Sequence, residues 1–384
     1  MTDVPGAPRA SLALLRRITD RHVVDQLLAT EAMTRAEVAA ATGISKPTVS
    51  EAVRRLEREG VLVEAGAAPS GRRGPAGVHY RLRTDLGVAL ALEGGPDGLV
   101  AEVLDLRGTV LRRVERITPS PVRAAELAAS LVDLVRDATT DLPGPVRAGA
   151  LSLAGPVDRT TGRLVHLPHS PFLVDELDAR PLLEPLVGVG LAIDNDVNWA
   201  ALAEHDAGVA TGVDDFAYLH LGHGLGGALV QGGALVRGHT GLAGEPAHVL
   251  TRGPDGRATS LVGCFGELGL LRSGSDTIAV DAVIRALTGE GSQDVRRRDV
   301  VVEAVAGVLA TVATLLNPAA LVVGGPWAAA PGFTDRLAAR TEELLVAPTP
   351  LRVARLGGAA PLLGARVSAL RDLRSALLDA EPAS

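Results

Sequence analysis

TRAEVAAATGISKPTVSEAVRRLEREG, residues 34–60, reads as two helices joined by a tight turn. Thr34 and Glu37 stand three apart, the spacing at which a hydroxyl and a carboxylate each satisfy the other's backbone amide, so a helix starts here. Gly43 stops it after about two turns, since glycine takes the left-handed conformation of a helix C-terminus without a Cβ penalty. Ser45 then caps a further helix. Along it Val49, Val53 and Leu56 share one face, and Ser50, Arg54 and Arg58 share the other. A short helix, a glycine turn and a helix whose first turn is polar and cationic form a helix-turn-helix, the second helix of which enters the major groove of DNA. Ser45, Lys46, Pro47, Thr48, Ser50 and Arg54 are the residues expected to face the DNA.

Upstream of the pair, residues 11–30 place Leu14, Ile18, Val24, Leu27 and Leu28 at roughly helical spacing and predict an amphipathic helix. Downstream, VLVEA (61–65) and VHYRL (78–82) read as strands bracketing the loop APSGRRGPAG. That loop makes a wing, with Arg72 and Arg73 at its tip available to phosphate or the narrow minor groove. A small helical protein-binding module with a solvated charged face would share parts of this pattern. The whole series in order, within about 50 residues, is the more specific signal. Charge agrees: residues 1–84 carry 13 Arg and Lys against 9 Asp and Glu, whereas the full chain has a net charge of −7. A basic head therefore precedes an acidic body. Lys46 is the single lysine, leaving basic contacts mostly to arginine.

The chain's 384 residues exceed one ordinary core and predict two or three units. No apolar run reaches the ~18 residues of a membrane span, and the start lacks the pattern of a signal peptide, so a cytoplasmic protein without membrane contact is expected. Cys264 is the only cysteine, which excludes an internal disulfide and a zinc site built mainly from thiolates. From Asp85 onward, short Val, Leu and Ala strands alternate with helical stretches, an α/β texture. Residues 86–92, 99–106 and 110–117 predict a three-strand meander, followed by a helix over 122–139 and the strand AGALSLAG.

Two polar constellations interrupt this apolar body. In GVGLAIDNDVNWAALAEHDAG a strand ends in Asp194-Asn195-Asp196 and a helix follows. Asn195 and Asp196 offer amide donor, amide acceptor and carboxylate in one turn, which suits the vicinal hydroxyls of a sugar, and Asp196 could act as general base toward one of them. An N-cap for the following helix is the plainer role for Asp196. Glu245 and His248 are three apart, so on a helical turn both would point into one cleft; a satisfied, partly buried histidine is the plainer reading of His248.

These segments, in order, resemble the ROK family, a group of sugar kinases and sugar-responsive repressors with an actin-like ATPase fold. The resemblance rests on Asp194-Asn195-Asp196-Val197-Asn198 as the sugar motif, Leu221–Gly227 as a Gly-rich phosphate loop and the Gly241–His248 segment. Leu316-Asn317-Pro318, Val322–Gly325 and Leu363-Gly364-Ala365 extend it. It implies a winged helix-turn-helix over 1–84, an actin-like lobe over 85–198 and a second over 199–384, with the last helix packing back toward the first lobe. It implies ligand contacts from Asn195, Asp196, Glu245 and His248, with His169 at the asparagine of a sugar loop. A family glutamate falls on Gly266, leaving neighbouring Glu267 as its substitute.

Set against the kinase pattern Asp-x-Gly-Gly-Thr, Leu92-Glu93-Gly94-Gly95-Pro96 puts Leu92 on the aspartate and Pro96 on the threonine, and His223 replaces a threonine of the second loop. Phosphoryl transfer depends on positioning and charge neutralisation, so such losses imply no catalytic residue and no cofactor. The family's zinc ligands fall on His248, Arg257, Thr259 and Cys264, which implies no metal. Three readings follow: a DNA-binding regulator, expected to be a homodimer on an operator, that senses a sugar; a sugar kinase with a DNA-binding head; or a regulator that answers to a protein partner.

Overall fold

The structure, a computed structural model, describes residues 8–67, 77–158, 161–165 and 172–379. In the head, α1 (Pro8–Ala29), β1 (Met33–Thr34), α2 (Arg35–Thr42) and α3 (Lys46–Arg58) precede the hairpin of β2 (Leu62–Ala67) and β3 (Val78–Leu82). The strands form an antiparallel sheet in the order β1-β3-β2. Both halves of the capping box form: the Glu37 amide donates to Thr34 Oγ1 at 3.2 Å, and the Thr34 amide donates to the Glu37 carboxylate at 2.8 Å. These bonds hold the Glu37 carboxyl below its ordinary range. Gly43 closes α2 at φ +70°, and Ser45 Oγ caps α3. Val24, Leu27, Val38, Val49, Val53, Leu56 and Tyr80 fill the core. Leu14 and Ile18, expected on the apolar stripe, are instead exposed, because the first half of α1 extends beyond that core.

The first lobe is a five-stranded sheet in the order β10-β7-β4-β5-β6. Its strands β4 (Val88–Gly95), β5 (Gly98–Leu104) and β6 (Val110–Arg116) make the meander. After α4 (Ala124–Thr139), β7 (Val146–Leu153) joins parallel to β4. The short pair β8 (Arg163–Leu164) and β9 (Leu177–Asp178) leads to α5 (Arg180–Val187) and β10 (Leu191–Asn195). One face carries Val88, Leu90 and Leu92 against Leu127, Leu131 and Leu134 of α4. The other carries Ala89, Ala91, Ala148 and Ala150, whose small side chains admit a helix close to the sheet.

Helix α6 (Asp196–Ala207) starts directly where β10 ends, so the boundary drawn between 198 and 199 lies inside a helix. The second lobe follows with β11 (Phe216–Leu221), β12 (Leu225–Gln231), β13 (Ala234–Leu235), the hairpin β14 (Leu250–Arg252) and β15 (Ala258–Ser260), α7 (Leu261–Glu267), α8 (Val280–Thr288), α9 (Ser292–Leu316), β16 (Ala320–Gly324), α10 (Phe333–Leu344) and β17 (Leu351–Val353). Its sheet has the order β13-β12-β11-β16-β17. Helix α9 is long and apolar enough to cross a membrane, yet Val301, Val305, Val308 and Leu309 are buried in this lobe's core.

The final helix α11 (Ala360–Asp379) lies along α6 and on the alanine face of the first sheet, where Ala365, Ala369 and Leu373 are buried. Gly364 is the point of closest approach: a Cβ there would collide with the Trp199 carbonyl oxygen. The far end of α11 reaches the head, where Leu378 packs with the head core. Arg107, in the β5–β6 turn, fastens the same junction by donating to the carbonyls of Leu28 and Thr30 at the end of α1, both at 2.8 Å.

Candidate functional site

Two surfaces carry chemistry. In the head, Lys46, Pro47, Thr48 and Arg54 are exposed on α3, Ser45 sits at its cap and Ser50 is half-buried. Arg55, the next residue after Arg54, faces inward: its guanidinium donates to both oxygens of Asp20 on α1, at 2.9 and 2.5 Å. Arg54 is thus free for a partner, and Arg55 sets the angle of α3 on α1. Arg72 and Arg73 lie outside the described residues, as does His169.

The second surface lies between the lobes. Register aligns Asp194 on β10 with Ser152 on β7, and Ser152 with Glu93 on β4, so the three side chains stand in one row on the α6 side of the sheet. Asp194 is 6% exposed and already occupied. It accepts from Asn198 Nδ2 at 2.7 Å, from the Asn195 amide at 2.8 Å and from Arg237 Nε of the second lobe at 2.6 Å. Asn195, not Asp196, is the N-cap of α6, its Oδ1 accepting from the Val197 amide at 2.8 Å. Asp196 is released from the plainer role and sits in the first turn, its carboxyl pushed up to about 6 by burial.

Glu245 precedes a one-turn 3₁₀ helix, Pro246–His248. Burial and the Asp196 carboxyl push it up to about 7. Gly244, at φ +87°, brings this segment against β12: a Cβ there would lie 2.7 Å from the Gly227 carbonyl oxygen. His248 ends the turn exposed, and Glu267 is exposed at the end of α7 beside Gly253.

Leu92, the residue expected at the aspartate position of the first loop, brings no carboxylate to the cleft side. Leu92 is the outer-face residue of β4, buried against α4, because side chains alternate along a strand. The carboxylate at this end of β4 is Glu93, one residue later. Burial and Asp196 push it up to about 7, with Asp97 and Glu102 adding to the effect and Arg113 opposing it. Gly94 and Gly95 continue the strand, and β4 turns into β5 through Pro96 and Asp97.

The second loop is reduced to Gly222-His223-Gly224 between β11 and β12. It is fastened from three sides: the Gly222 amide donates to the Gly224 carbonyl at 3.1 Å, the Ile278 amide to the His223 carbonyl at 2.8 Å, and Trp327 Nε1 to the Gly222 carbonyl at 3.1 Å. Trp327 is fully buried between Phe265 and Phe333. Below the loop, burial and His223 push His220 down to about 4, leaving it neutral near pH 7.

The positions matching the family's zinc ligands do not fit a metal. Cys264 is buried in the apolar core, while Arg257 is 87% exposed and paired with Asp255. Among the described residues no group of three His, Cys, Asp or Glu could hold an ion. A cavity of about 460 Å³ beside β14–β15 is lined by Arg252, Arg296, Asp299 and Glu303, and shares no lining residue with the cleft carboxyls. Sequence reasoning missed Glu93, Ser152, Arg237 and Trp327. Glu93, the single polar residue of β4, and Ser152, near the end of a largely apolar β7, carried a local signal, and the other two carried none.

Residues 89–371 match the ROK family, and residues 16–63 match a winged helix-turn-helix DNA-binding family. The chain is 24% identical over 249 residues to the xylose repressor of Bacillus subtilis, an alignment covering 62% of each protein. Among solved structures, a ROK family transcriptional regulator, homolog of the E. coli MLC protein, superposes with a TM-score of 0.69 at 19% identity, covering 95% of this chain and 98% of that one. The ROK hexokinase of Thermus thermophilus gives 0.61 at 27% identity, covering 75% of this chain and 99% of that one. The first of these two shows the shared fold of head and body, and the second that of the body alone. With its body matched across both lobes and its head matched separately, the chain belongs to the ROK family and carries a winged helix-turn-helix DNA-binding head.

Proposed function

We propose that the chain is a transcription repressor, paired as a homodimer on its operator in the cytoplasm, whose body binds a sugar without phosphorylating it. A lost amide in the Gly222-His223-Gly224 loop supports the second half of this reading: the Gly222 amide is spent on the Gly224 carbonyl. Loops that cradle phosphates need free amides, and Pro96 removes another from the first turn. The sugar would be held by Asp196, Glu245, His248 and the free amide end of Asn195, with His169 and Glu267 as further candidates. Closure of the lobes on it would reorient the heads through α11 and Arg107. The name of the Bacillus relative makes xylose the first sugar to try.

A thermal-shift panel of sugars, with and without ATP and Mg²⁺, tests binding, and an assay of sugar-dependent ADP release tests chemistry. Stabilisation by a sugar alone, lost in Asp196→Ala and unaccompanied by ADP, is the expected result. One observation favours the second reading, an active kinase: Asp196 has the placement and the raised carboxyl pKa of a general base toward a hydroxyl. Sugar-dependent ADP formation that vanishes in Asp196→Ala would establish that reading instead.

A further inference from the structure

A groove runs between α9 and the β14–β15 hairpin. Ser292, Arg296, Asp299 and Glu303 recur every three or four residues and so stand on one face of α9, over about 16 Å. That face and Arg252, at the end of β14, border a cavity of about 460 Å³, within the range of small-molecule pockets. Its charges are unevenly matched. Glu303 is spent on Arg340, whose Nε and Nη2 donate to its two oxygens at 2.6 and 3.1 Å and hold its carboxyl below the ordinary range. Among the described residues the guanidinia of Arg252 and Arg296 have neither a hydrogen bond nor an ion pair, and both are exposed. Arg252 lies across the hairpin turn, where a Cβ on Gly256 would stand 3.7 Å from its Nη2. Two open guanidinia therefore stand against one free carboxylate, Asp299. The start of α9 adds to the same sign: its N-cap, Gly291, lends no side chain to the first amides, and Asp294 lies against Gly289, outside the lining.

We infer that this groove is a second effector site, taking a hydroxylated phosphate monoester whose phosphate is held by Arg252 and Arg296 and whose hydroxyls are held by Asp299. The inference goes beyond the sugar reading of the cleft and does not depend on it. A guanidinium presents two parallel N–H donors to two phosphate oxygens. An ionised Asp299 only accepts, so it takes hydroxyls and repels a second phosphate. No aromatic side chain lines the groove, which leaves a nucleotide base nothing to stack on. The occupant would act on the cleft through the hairpin. Strand β14 begins two residues after His248, and Thr251 Oγ1 pins it to α9 by donating to the Ala304 carbonyl at 2.9 Å. A phosphate bridging Arg252 to Arg296 tightens the same contact one residue further along, and so restrains the segment that carries Glu245 and His248.

Isothermal titration of the full chain tests this with glycerol 3-phosphate, ribose 5-phosphate and glucose 6-phosphate, each beside its unphosphorylated parent, and with inorganic phosphate, all at one ionic strength. At least one ester should bind about tenfold or more tightly than both its parent and inorganic phosphate. Arg252→Ala and Arg296→Ala should each weaken that ester about tenfold, the loss of a charge-assisted bond. Arg257→Ala, an exposed change on the same hairpin outside the lining, and Asp196→Ala, in the cleft, should leave it unchanged. Asp299→Ala should narrow the ester's advantage over inorganic phosphate. Arg252, Arg296 and Asp299 are exposed, so their unliganded variants should melt with the parent chain. Binding lost in Asp196→Ala but kept in both arginine variants would move the ester to the cleft and overturn the second site. Binding of no ester would overturn it outright, and inorganic phosphate bound as tightly as every ester would overturn the ligand class.

Discussion

Arg237 Nε donates to Asp194 Oδ2 at 2.6 Å and so ties the second lobe to the last strand of the first at the floor of the cleft. Asp194 is nearly sheltered from water, and its other acceptor capacity goes to Asn198 and the Asn195 amide. The pair therefore holds the lobes together and orders the turn that presents Asp196.

Replacing Arg237 by Ala leaves Asp194 charged, buried and short of one strong donor. The loss should be about 2 kcal/mol, below the range for fully buried pairs because Arg237 is 36% exposed. Denaturant unfolding measures the loss, and solution scattering should show a larger radius of gyration from freer lobes. Unchanged values in both would mean that the lobes are held elsewhere.

In the head, Arg54→Ala should weaken operator binding and reduce the salt slope by about one unit for each phosphate that Arg54 neutralises, without changing thermal stability. Arg55→Ala should do the reverse in the first instance, destabilising the head by about 2 kcal/mol through its bond to Asp20. Equal stabilities in the two variants would contradict the inward and outward assignment of these neighbours.

Gly364→Ala inserts a methyl into the space held by the Trp199 carbonyl oxygen, so α6 and α11 must separate. Overpacking of this kind costs about 1–3 kcal/mol, read as an earlier melting transition. If the variant melts like the parent, the two helices do not touch at this point.

Arg107→Ala removes the guanidinium that engages the Leu28 and Thr30 carbonyls. Sugar affinity and operator affinity measured separately should change little, while the effect of sugar on operator binding should fall, because the head loses part of its attachment to the moving body. Intact coupling in this variant would locate transmission in the apolar packing of Leu28, Leu86 and Leu378 alone.

Stability should fall as pH rises from about 4 to 7. Glu93 and Glu245 move from 4.5 to about 7 and Asp196 from 3.8 to about 6 on folding. In that window the folded chain holds these three protons after the unfolded chain has released them, while His220, lowered from 6.5 to about 4, opposes them with one, so the net slope stays negative. Glu37 and Glu303, both lowered, act in the opposite sense and withdraw their stabilisation on acidification below that window. Melting curves across pH should show the decline, flattened in Glu93→Gln and Glu245→Gln.

The head is legible from short-range sequence. Thr34 with Glu37, Gly43 and Ser45 act on amides within four residues, and Val49, Val53 and Leu56 follow a helical period that no distant partner needs to complete. The alternation of strands and helices in the body and the polar turn at 194–196 are legible in the same way. That Glu93 lies on the α6 side of the sheet while Leu92 packs against α4 is not, because the sequence sets their alternation but not which face α4 covers. Nor does any local pattern reveal that α11 lies on the alanine face, or that Arg237 and Trp327 find partners 43 and 105 residues away. Such pairs form only when the sheets, each ordered by its buried faces, bring their ends together.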